Sequence, residues 1–396
     1  MSLENVYDPD RRRWIKSAGL VGLGALAATA IVPLRADAAD DLPLAPPDRQ
    51  PKDLKLPEVV ERKIGFAIVG LGQLALEEIM PAFGRCKYAY PAALVSGHPD
   101  KAKRVARAYG VPDSSIYDYQ TYGNLADNKN VDVIYIVLPN SMHAEYTIRG
   151  FEAGKHVLCE KPMAANVDEA RAMIAAGAKA SKQLMIAYRL QYEPHHLAAI
   201  ELCRSGKLGT LKTISASNCQ TVQAPNIRLS SKLAGGPLGD IGIYCLNACR
   251  YLSGEEPLEV TAQRYRPAHE PRFREVPESY AFTLRFPKGL LASCDCSFDS
   301  GESRVLRAHG SKGYLHLDNA FAYRGVELTT KLGEERKPAI EAVDHFATEM
   351  DAFAQAILKN EPIRTRGEEG LSDMIAMRAI AEAAETGRMV KVSDSA

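Results

Sequence analysis

The chain has 396 residues, of which 46% are apolar and 25% are charged, and its formal net charge at pH 7 is zero. This length and composition are ordinary for a globular enzyme with two domains, each able to build its own core. The balanced charge provides no excess of basic surface for nucleic acid, so that class of partner is excluded.

Residues 1–38 have the three-part pattern of an export signal. Arg11-Arg12-Arg13 precedes an uncharged run from Ser17 to Leu34, and Ala36-Asp37-Ala38 provides a small-x-small cleavage site. Paired arginines of this kind resemble the twin-arginine signal, whose substrates cross the membrane already folded. We therefore expect export to the periplasm by twin-arginine machinery, with cleavage after Ala38. The alternative is an uncleaved membrane anchor.

Residues 39–61 are rich in proline and charge. This composition predicts an extended arm rather than a folded element. The arm is either a disordered linker or a segment that wraps a neighbouring subunit or a cofactor, and the sequence leaves both interpretations open.

Residues 62–189 alternate apolar strands with helices. Strands are predicted at 64–69, 92–96, 133–138, 156–158 and 184–188, with helical stretches between them. This alternation is typical of a doubly wound parallel sheet, so we expect an α/β Rossmann domain here.

Residues 190–342 have a different pattern. After a helix at 193–204, strand-like runs joined by short turns are predicted at 211–217, 259–266, 280–286, 290–298, 304–309 and 313–317. They indicate an α+β domain with an open, mainly antiparallel sheet. Because a large open sheet needs covering, we expect a homodimer or homotetramer. Residues 343–396 contain two closing helices, and Gly387 is the expected end of the second.

The eight cysteines include no CxxC pair and no zinc-type Cys/His spacing, so no metal site is predicted. Cys245 and Cys249 are one helical turn apart, and Cys294 and Cys296 share one face of an expected strand. We expect most cysteines to be small buried apolar residues, because a protein that folds in a reducing cytosol has little occasion to form disulfides.

A dinucleotide-binding fingerprint follows the first strand. Gly70-Leu71-Gly72-Gln73-Leu74-Ala75 matches GxGxxA between an apolar strand and a helix. The first glycine makes the turn, the second lets a pyrophosphate approach, and the small third residue allows the helix to pack on the strand. The pyrophosphate would then meet the helix N-terminus.

The end of the second strand favours NADP over NAD. It reads Ser96-Gly97-His98, without the carboxylate that holds the ribose diol of NAD, and Lys101 and Arg104 follow. A hydroxyl and a cation suit a 2′-phosphate. The alternative is that Lys101 and Arg104 are only the solvated start of a helix.

Two further segments contain candidate chemical groups. Lys161 lies in Cys159-Glu160-Lys161-Pro162, at the carboxyl edge of the sheet where ligands bind. Asp240 and Tyr244 are one helical turn apart after a glycine-rich stretch and share a face. A tyrosine beside a lysine can exchange a proton with a substrate. The alternatives are a turn lysine, an N-capping aspartate and a half-buried core tyrosine.

These motifs, together with Leu138-Pro139-Asn140-Ser141-Met142-His143, resemble the glucose–fructose oxidoreductase/inositol dehydrogenase family over roughly residues 63–390. The resemblance implies the two-domain fold above, with the C-terminal helices packed back on the Rossmann domain. It implies catalytic roles for Lys161, Asp240 and Tyr244. It implies cofactor contacts by Gly70, Leu71, Gly72, Gln73, Leu74, Ser96, Gly97, Lys101, Arg104, Pro139, Asn140, His143, Glu160, Lys161 and Arg189. Sugar contacts are expected from Tyr192, Arg228, Asp240 and Tyr244.

The function expected from these features is that of a periplasmic sugar oxidoreductase with tightly bound, recycled NADP. An exported enzyme meets little soluble nicotinamide cofactor, so it has to carry its own. It would oxidise an aldose at C1 to a lactone and then reduce a second sugar at the same site. The alternatives are a dehydrogenase that exchanges NADP with solvent and a non-catalytic sugar sensor.

Overall fold

The computed structural model describes residues 62–393. The predicted export signal at 1–38 and the proline-rich arm at 39–61 lie outside the described residues. Among the helices of the described part, none combines the length and the apolar character that a membrane span requires.

The first sheet has six parallel strands in the order β3-β2-β1-β4-β5-β6. The strands are β1 (Ile64–Val69), β2 (Ala89–Val95), β3 (Ile116–Tyr117), β4 (Val133–Ile136), β5 (His156–Glu160) and β6 (Leu184–Ala187). Every residue of β1, β4 and β6 is buried, because helices cover both faces of the sheet. The predicted doubly wound α/β sheet is confirmed.

Eight helices are labelled α1 to α8, and several short 3₁₀ and π-helical turns lie between them in the described residues. The eight helices are α1 at 75–85 (a π-helical turn Ala75–Ile79, Met80–Ala82 and a 3₁₀ turn Phe83–Arg85), α2 (Pro99–Tyr109), α3 (His143–Glu152), α4 (Val167–Ala180), α5 (Pro194–Arg204), α6 (Ile243–Ser253), α7 (His345–Lys359) and α8 (Gly367–Thr386). α7 packs against β2 and the 3₁₀ turn Arg189–Tyr192, and α8 packs against α4 and β6. The last helix ends at Gly387, which is left-handed with φ of 69°, as predicted.

The second sheet has nine strands in the order β14-β13-β12-β11-β7-β10-β9-β8-β15. They are β7 (Leu211–Cys219), β8 (Glu259–Tyr265), β9 (Ser279–Arg285), β10 (Leu291–Ser297), β11 (Ser303–Gly310), β12 (Gly313–Asp318), β13 (Glu327–Leu332), β14 (Glu334–Arg336) and β15 (Val390–Lys391). Only β7 and β10 pair in parallel, so the expected mainly antiparallel sheet is confirmed.

The two sheets share one continuous apolar core. Val69 and Ile136 of the first sheet belong to the same buried cluster as Leu246 of α6 and Phe282 of β9. A second cluster lies on the other side of the first sheet, where Tyr135 packs with residues of α1 and α7. The shared core brings α6, which follows Asp240, to the carboxyl edge of the parallel strands.

The second sheet buries one face only. Along β10, Ala292, Cys294 and Cys296 are buried, whereas Leu291 and Ser293 are exposed on the opposite face. All eight cysteines are buried free thiols, which confirms their expected role as small core residues. In residues 62–393, no group of three or more His, Cys, Asp or Glu residues is arranged to hold a metal ion.

Candidate active site

The glycine loop after β1 is shaped for a dinucleotide. Gly70 has φ of +95°, and a Cβ at this position would lie 2.3 Å from the carbonyl oxygen of Val137. Only glycine fits such a turn. A Cβ at Gly72 would meet no atom within 4 Å, so the backbone there faces open space beside the start of α1. Leu71 is buried, while Gln73 and Leu74 lead into the helix.

The residues predicted to bind the 2′-phosphate of NADP follow β2 and lie near this loop. Lys101 Nζ donates to the carbonyl oxygen of Leu71 at 3.2 Å, so the lysine folds back over the fingerprint. Ser96 is buried, and its hydroxyl accepts from the backbone N–H of His98 at 3.1 Å. Gly97 approaches the ring of Tyr119, with 3.2 Å left for a Cβ. Arg104 is exposed on α2, and the structure shows no hydrogen bond from it to the described residues of the loop.

The segment after β4 supports the candidate site through hydrogen bonds to the neighbouring loops. Asn140 Nδ2 donates to the carbonyl oxygen of Ala234 at 2.8 Å, which ties the turn that follows Pro139 to the glycine-rich stretch before Asp240. His143 is fully buried, with Nδ1 2.8 Å from the carbonyl oxygen of Pro162 and Nε2 2.9 Å from that of Leu138. Burial lowers the pKa of His143, although both carbonyls oppose this shift.

His143 is therefore placed differently from the expected cofactor contact. Both ring nitrogens face backbone carbonyls of this chain, so neither is left for a bound ligand. Its role in the structure is to hold the loop after β4 against the loop after β5.

Glu160 also lies behind the reaction site rather than in it. Its carboxylate accepts from the hydroxyl of Tyr135 at 2.9 Å and from the backbone N–H of Lys161 at 3.2 Å. Burial raises the pKa of Glu160, although Lys161 and Tyr135 act in the opposite direction. The carboxyl group thus orients the backbone that presents Lys161.

The structure brings Lys161, Asp240 and Tyr244 together at the carboxyl edge of β5. Lys161 Nζ donates to the main-chain carbonyl oxygen of Asp240 at 2.7 Å and lies 3.6 Å from its Oδ1. The same ammonium is 4.7 Å from the ring centre of Tyr244. Asp240 lies in the π-helical turn Leu238–Gly242, which continues directly into α6 and Tyr244. π-Helical turns of this kind are frequent at functional sites.

Arg228 is a second cation beside Asp240, in addition to Lys161. Its Nε donates to Asp240 Oδ2 at 2.7 Å, so the carboxylate is held between two cations. Burial acts to raise the pKa of Asp240, but Lys161 and Arg228 outweigh it, and the pKa is lowered. Burial acts to lower the pKa of Lys161, but Tyr244 and Asp240 outweigh it, and the pKa is raised. Both groups therefore stay ionised at neutral pH.

Arg189 is buried beneath this cluster. Its guanidinium donates to the carbonyl oxygens of Phe321 at 2.7 Å and Ala322 at 3.0 Å. It also stacks 5.1 Å from the ring centre of Tyr244 and 4.6 Å from that of Tyr323. Arg189 thus links the end of the Rossmann domain to the loop after β12. Its guanidinium also packs against the rings of Tyr244 and Tyr323.

Tyr323 belongs to the site, and sequence reasoning missed it. Desolvation and the neighbouring Tyr244 raise the pKa of Tyr323 to about 12, although the residue keeps 39% of its surface exposed. The residue lies in an irregular loop between β12 and β13, with no motif around it. Only its aromatic character in a post-strand loop was available as a signal.

Tyr192 is not brought to the cluster. Its hydroxyl is buried 3.2 Å from Thr365 Oγ1 and 3.7 Å from Met185 Sδ, on the side of the parallel sheet that faces α7. The expected sugar contact at this residue does not agree with that placement, because the 3₁₀ turn Arg189–Tyr192 directs Arg189 and Tyr192 to different partners.

Two family models match the chain. Residues 64–188 match an oxidoreductase family with an NAD-binding Rossmann fold, and residues 196–316 match the GFO/IDH/MocA C-terminal domain. The chain belongs to the GFO/IDH/MocA oxidoreductase family. The predicted resemblance is confirmed.

Three relatives illustrate the range of similarity. The chain is 30% identical to a D-xylose 1-dehydrogenase (NADP(+)) of Haloferax volcanii, over 83% of this chain and 99% of the relative. It is 25% identical to an inositol 2-dehydrogenase of Rhizobium meliloti, over 81% of this chain and 97% of the relative. The crystal structure of an aldose-aldose oxidoreductase of Caulobacter crescentus, complexed with glycerol, superposes with a TM-score of 0.81. That match has 41% identity and covers 83% of this chain and 100% of the other.

Proposed function

We propose that this oxidoreductase acts on sugars with NADP that stays bound between turnovers. It oxidises an aldose at C1 to a lactone and then reduces the carbonyl of a second sugar at the same site. The observation that carries the proposal is the convergence of Lys161, Asp240 and Tyr244 at the carboxyl edge of the sheet, beside the dinucleotide loop. The similarity to an aldose-aldose oxidoreductase over the full length of that enzyme supports the pair of sugar half-reactions.

The residues present fit NADP. The open backbone at Gly72 and the start of α1 would hold the pyrophosphate, and Ser96 and Lys101 would hold the 2′-phosphate. Bound NADP would supply the hydride acceptor for the first sugar and, once reduced, the hydride donor for the second. Similarity to NADP-dependent xylose dehydrogenases supports the choice of NADP over NAD.

Tyr244 is the proton-transfer group in this proposal. Its ring is half-buried, and its hydroxyl has no hydrogen-bond partner among residues 62–393. It takes the proton of the C1 hydroxyl in the first half-reaction and donates a proton to the second sugar in the other. The ammonium of Lys161, 4.7 Å from the ring centre, stabilises the phenolate that is present before the first proton transfer and again after the second.

Asp240 and Arg228 are the sugar-binding groups in this proposal, and Asp240 also fixes the position of Lys161. Asp240 is ionised between two cations, so its remaining acceptor capacity is available to sugar hydroxyls. It also fixes Lys161 through the main-chain carbonyl bond of 2.7 Å. Arg228 is partly exposed and offers further donors to a sugar at the mouth of the site.

Export in the folded state to the periplasm is part of the proposal, and it rests on the residue pattern at 1–38. An enzyme in the periplasm needs a resident cofactor. Two half-reactions at one site would regenerate that cofactor without releasing it. The exposed face of the second sheet supports assembly as a homodimer or homotetramer.

The second candidate is a dehydrogenase that exchanges NADP with solvent. The two relatives named as NADP-dependent xylose dehydrogenases favour it. A sensor that binds sugar without redox change is the third, and the complete Lys161–Asp240–Tyr244 cluster argues against it.

Mass spectrometry of the denatured, extensively dialysed protein separates these functions. We expect one retained NADP per active site, and an absorbance increase of reduced nicotinamide when an aldose is added without cofactor. The increase should disappear when a second sugar is then supplied. An empty protein that turns over only with added NADP would support the exchanging dehydrogenase, and sugar binding without any absorbance change would support the sensor.

A further inference from the structure

Five of the eight cysteines gather between α6 and the second sheet. Cys245 and Cys249 lie on α6, Cys294 and Cys296 on β10, and Cys219 at the end of β7. Within this thiol cluster, the sulfur atoms of Cys249 and Cys294 are 3.6 Å apart. Among residues 62–393, this is the one cysteine pair whose sulfur atoms meet at hydrogen-bond distance and geometry. The cluster therefore contains one specific pair rather than five equivalent thiols.

The two elements direct these sulfurs at each other. Cys294 lies on the helix-covered face of β10, and Cys249 lies on the buried side of α6, which packs against β10. A disulfide has an S–S bond of about 2.05 Å, so the sulfurs have to approach by about 1.6 Å from their 3.6 Å separation.

We propose that Cys249 and Cys294 are a disulfide-forming pair that covalently links α6 to β10 when the protein meets a disulfide oxidant. Each thiol loses its proton, and two electrons pass to an external disulfide such as oxidised glutathione, which is reduced to two thiols. The reaction proceeds through a mixed disulfide between one cysteine and the oxidant, which the second cysteine then displaces. The inference concerns a covalent modification and depends on neither the sugar nor the cofactor.

Burial determines when the bond forms. Cys249 and Cys294 are 0% and 2% exposed. Contact with Cys249 and burial raise the pKa of the Cys294 thiol well above its ordinary value, so little thiolate exists in the closed structure. Oxidation consequently requires a local opening of α6 away from β10. The disulfide would form slowly in the native protein, and faster when a low concentration of denaturant is added to promote local opening.

The Cys249–Cys294 disulfide would lie where it can stabilise the folded protein without lowering turnover. Cys249 lies more than one helical turn beyond Tyr244 on α6, and neither cysteine contacts Lys161, Asp240 or Tyr244. The two cysteines are separated by 45 positions in the sequence, so the bond closes a sizeable loop in the unfolded chain. Loops of that size remove enough entropy from the unfolded state to give a measurable stabilisation.

The test uses the full-length, cofactor-bound protein. Reduced protein is incubated with oxidised glutathione at a sub-denaturing urea concentration, free thiols are alkylated, and peptides are mapped without reduction. We expect one disulfide-linked peptide pair that contains Cys249 and Cys294, with the other cysteines alkylated. The thermal unfolding midpoint should rise by roughly 2–6 °C and return on reduction, while turnover stays unchanged.

Matched variants separate this bond from general thiol oxidation. Cys294→Ala should abolish both the linked peptide and the rise in midpoint, and Cys249→Ala should do the same. Cys203→Ala, which removes a buried thiol of α5 outside the thiol cluster, should retain both. A fully alkylated wild type after oxidation, a bridge through Cys245 or Cys296, or a rise that persists in Cys294→Ala would each overturn the proposal.

Discussion

Lys161 Nζ donates to the main-chain carbonyl oxygen of Asp240 at 2.7 Å, across a sequence separation of 79 residues. This bond joins the end of β5 to the π-helical turn before α6, so it fixes the ammonium relative to Tyr244. The side chain of Asp240 adds charge pairing at 3.6 Å, and Arg228 holds that side chain from the other direction. The cluster is thus preorganised by backbone and side chain together, before any substrate binds.

Replacement of Tyr244 by phenylalanine tests the proton-transfer role. The variant keeps the ring that Lys161 and Arg189 contact but lacks the hydroxyl, so turnover should fall by about 10²–10⁴-fold while NADP stays bound. Steady-state kinetics and nucleotide mass spectrometry measure the two effects. Tyr192→Phe is the matched control, because its hydroxyl contacts Thr365 away from the cluster. Turnover of Tyr244→Phe close to wild type would defeat the assignment.

Replacement of Lys101 by alanine tests the 2′-phosphate site. The variant loses the cation that folds over the glycine loop, so affinity for NADP should fall by about 10-fold or more while affinity for NAD changes little. Calorimetric titration of nucleotide-free protein with each dinucleotide measures the difference. Lys103→Ala removes an exposed lysine of the same helix and should leave both affinities unchanged. An equal loss for NADP and NAD would contradict a 2′-phosphate contact.

Replacement of Arg250 by methionine tests the buried ion pair between α6 and α8. Arg250 and Asp373 have side-chain exposures of 4% and 0%, and their nitrogen and oxygen are 2.6 Å apart. Loss of the guanidinium leaves the Asp373 carboxylate buried without its cation, at a cost of about 3–5 kcal/mol in unfolding free energy. Urea denaturation measures the loss. Arg285→Met, which breaks an exposed pair with Glu259, should leave the midpoint unchanged, and equal effects of both variants would contradict the argument.

Replacement of Glu349 by glutamine tests a buried carboxyl group. Both carboxyl oxygens are buried without a hydrogen-bond partner in the described part of the chain, and burial raises the pKa well above the ordinary 4.5. The native state therefore binds this proton more tightly than the unfolded chain does. As pH rises above the unfolded pKa, the contribution of Glu349 to stability becomes increasingly unfavourable, and the penalty is complete above the folded pKa.

Glu349→Gln should remove that component, so the wild type loses more stability than the variant as pH rises from about 4.5, the ordinary pKa of a glutamate, towards neutral pH. Urea midpoints across this range measure the difference in slope, which is independent of any constant cost of the new amide. Glu361→Gln, at an exposed position after α7, should follow the wild-type profile. Parallel profiles for Glu349→Gln and wild type would show that the carboxyl is not protonated in the native state.

Local pattern was sufficient for most of the fold. Apolar runs and glycine turns predicted the parallel sheet, and alternation predicted the central strands of the second sheet. It missed β3, β13, β14 and β15, which lie at or near sheet edges and are short or largely polar. Such strands bury too little surface to impose an apolar pattern, and they are held by their neighbours.

The sequence predicted the three residues of the candidate site, because Lys161, Asp240 and Tyr244 each follow a recognisable local signal. Its assembly was decided only by the tertiary structure. Tyr323 enters from a loop that has no sequence motif, and His143 turns both ring nitrogens to backbone carbonyls. The hydroxyl of Tyr192 lies beside Thr365, away from Lys161 and Tyr244. Local sequence determines which residues end strands and begin helices, whereas the direction of each side chain depends on contacts between segments distant in the chain.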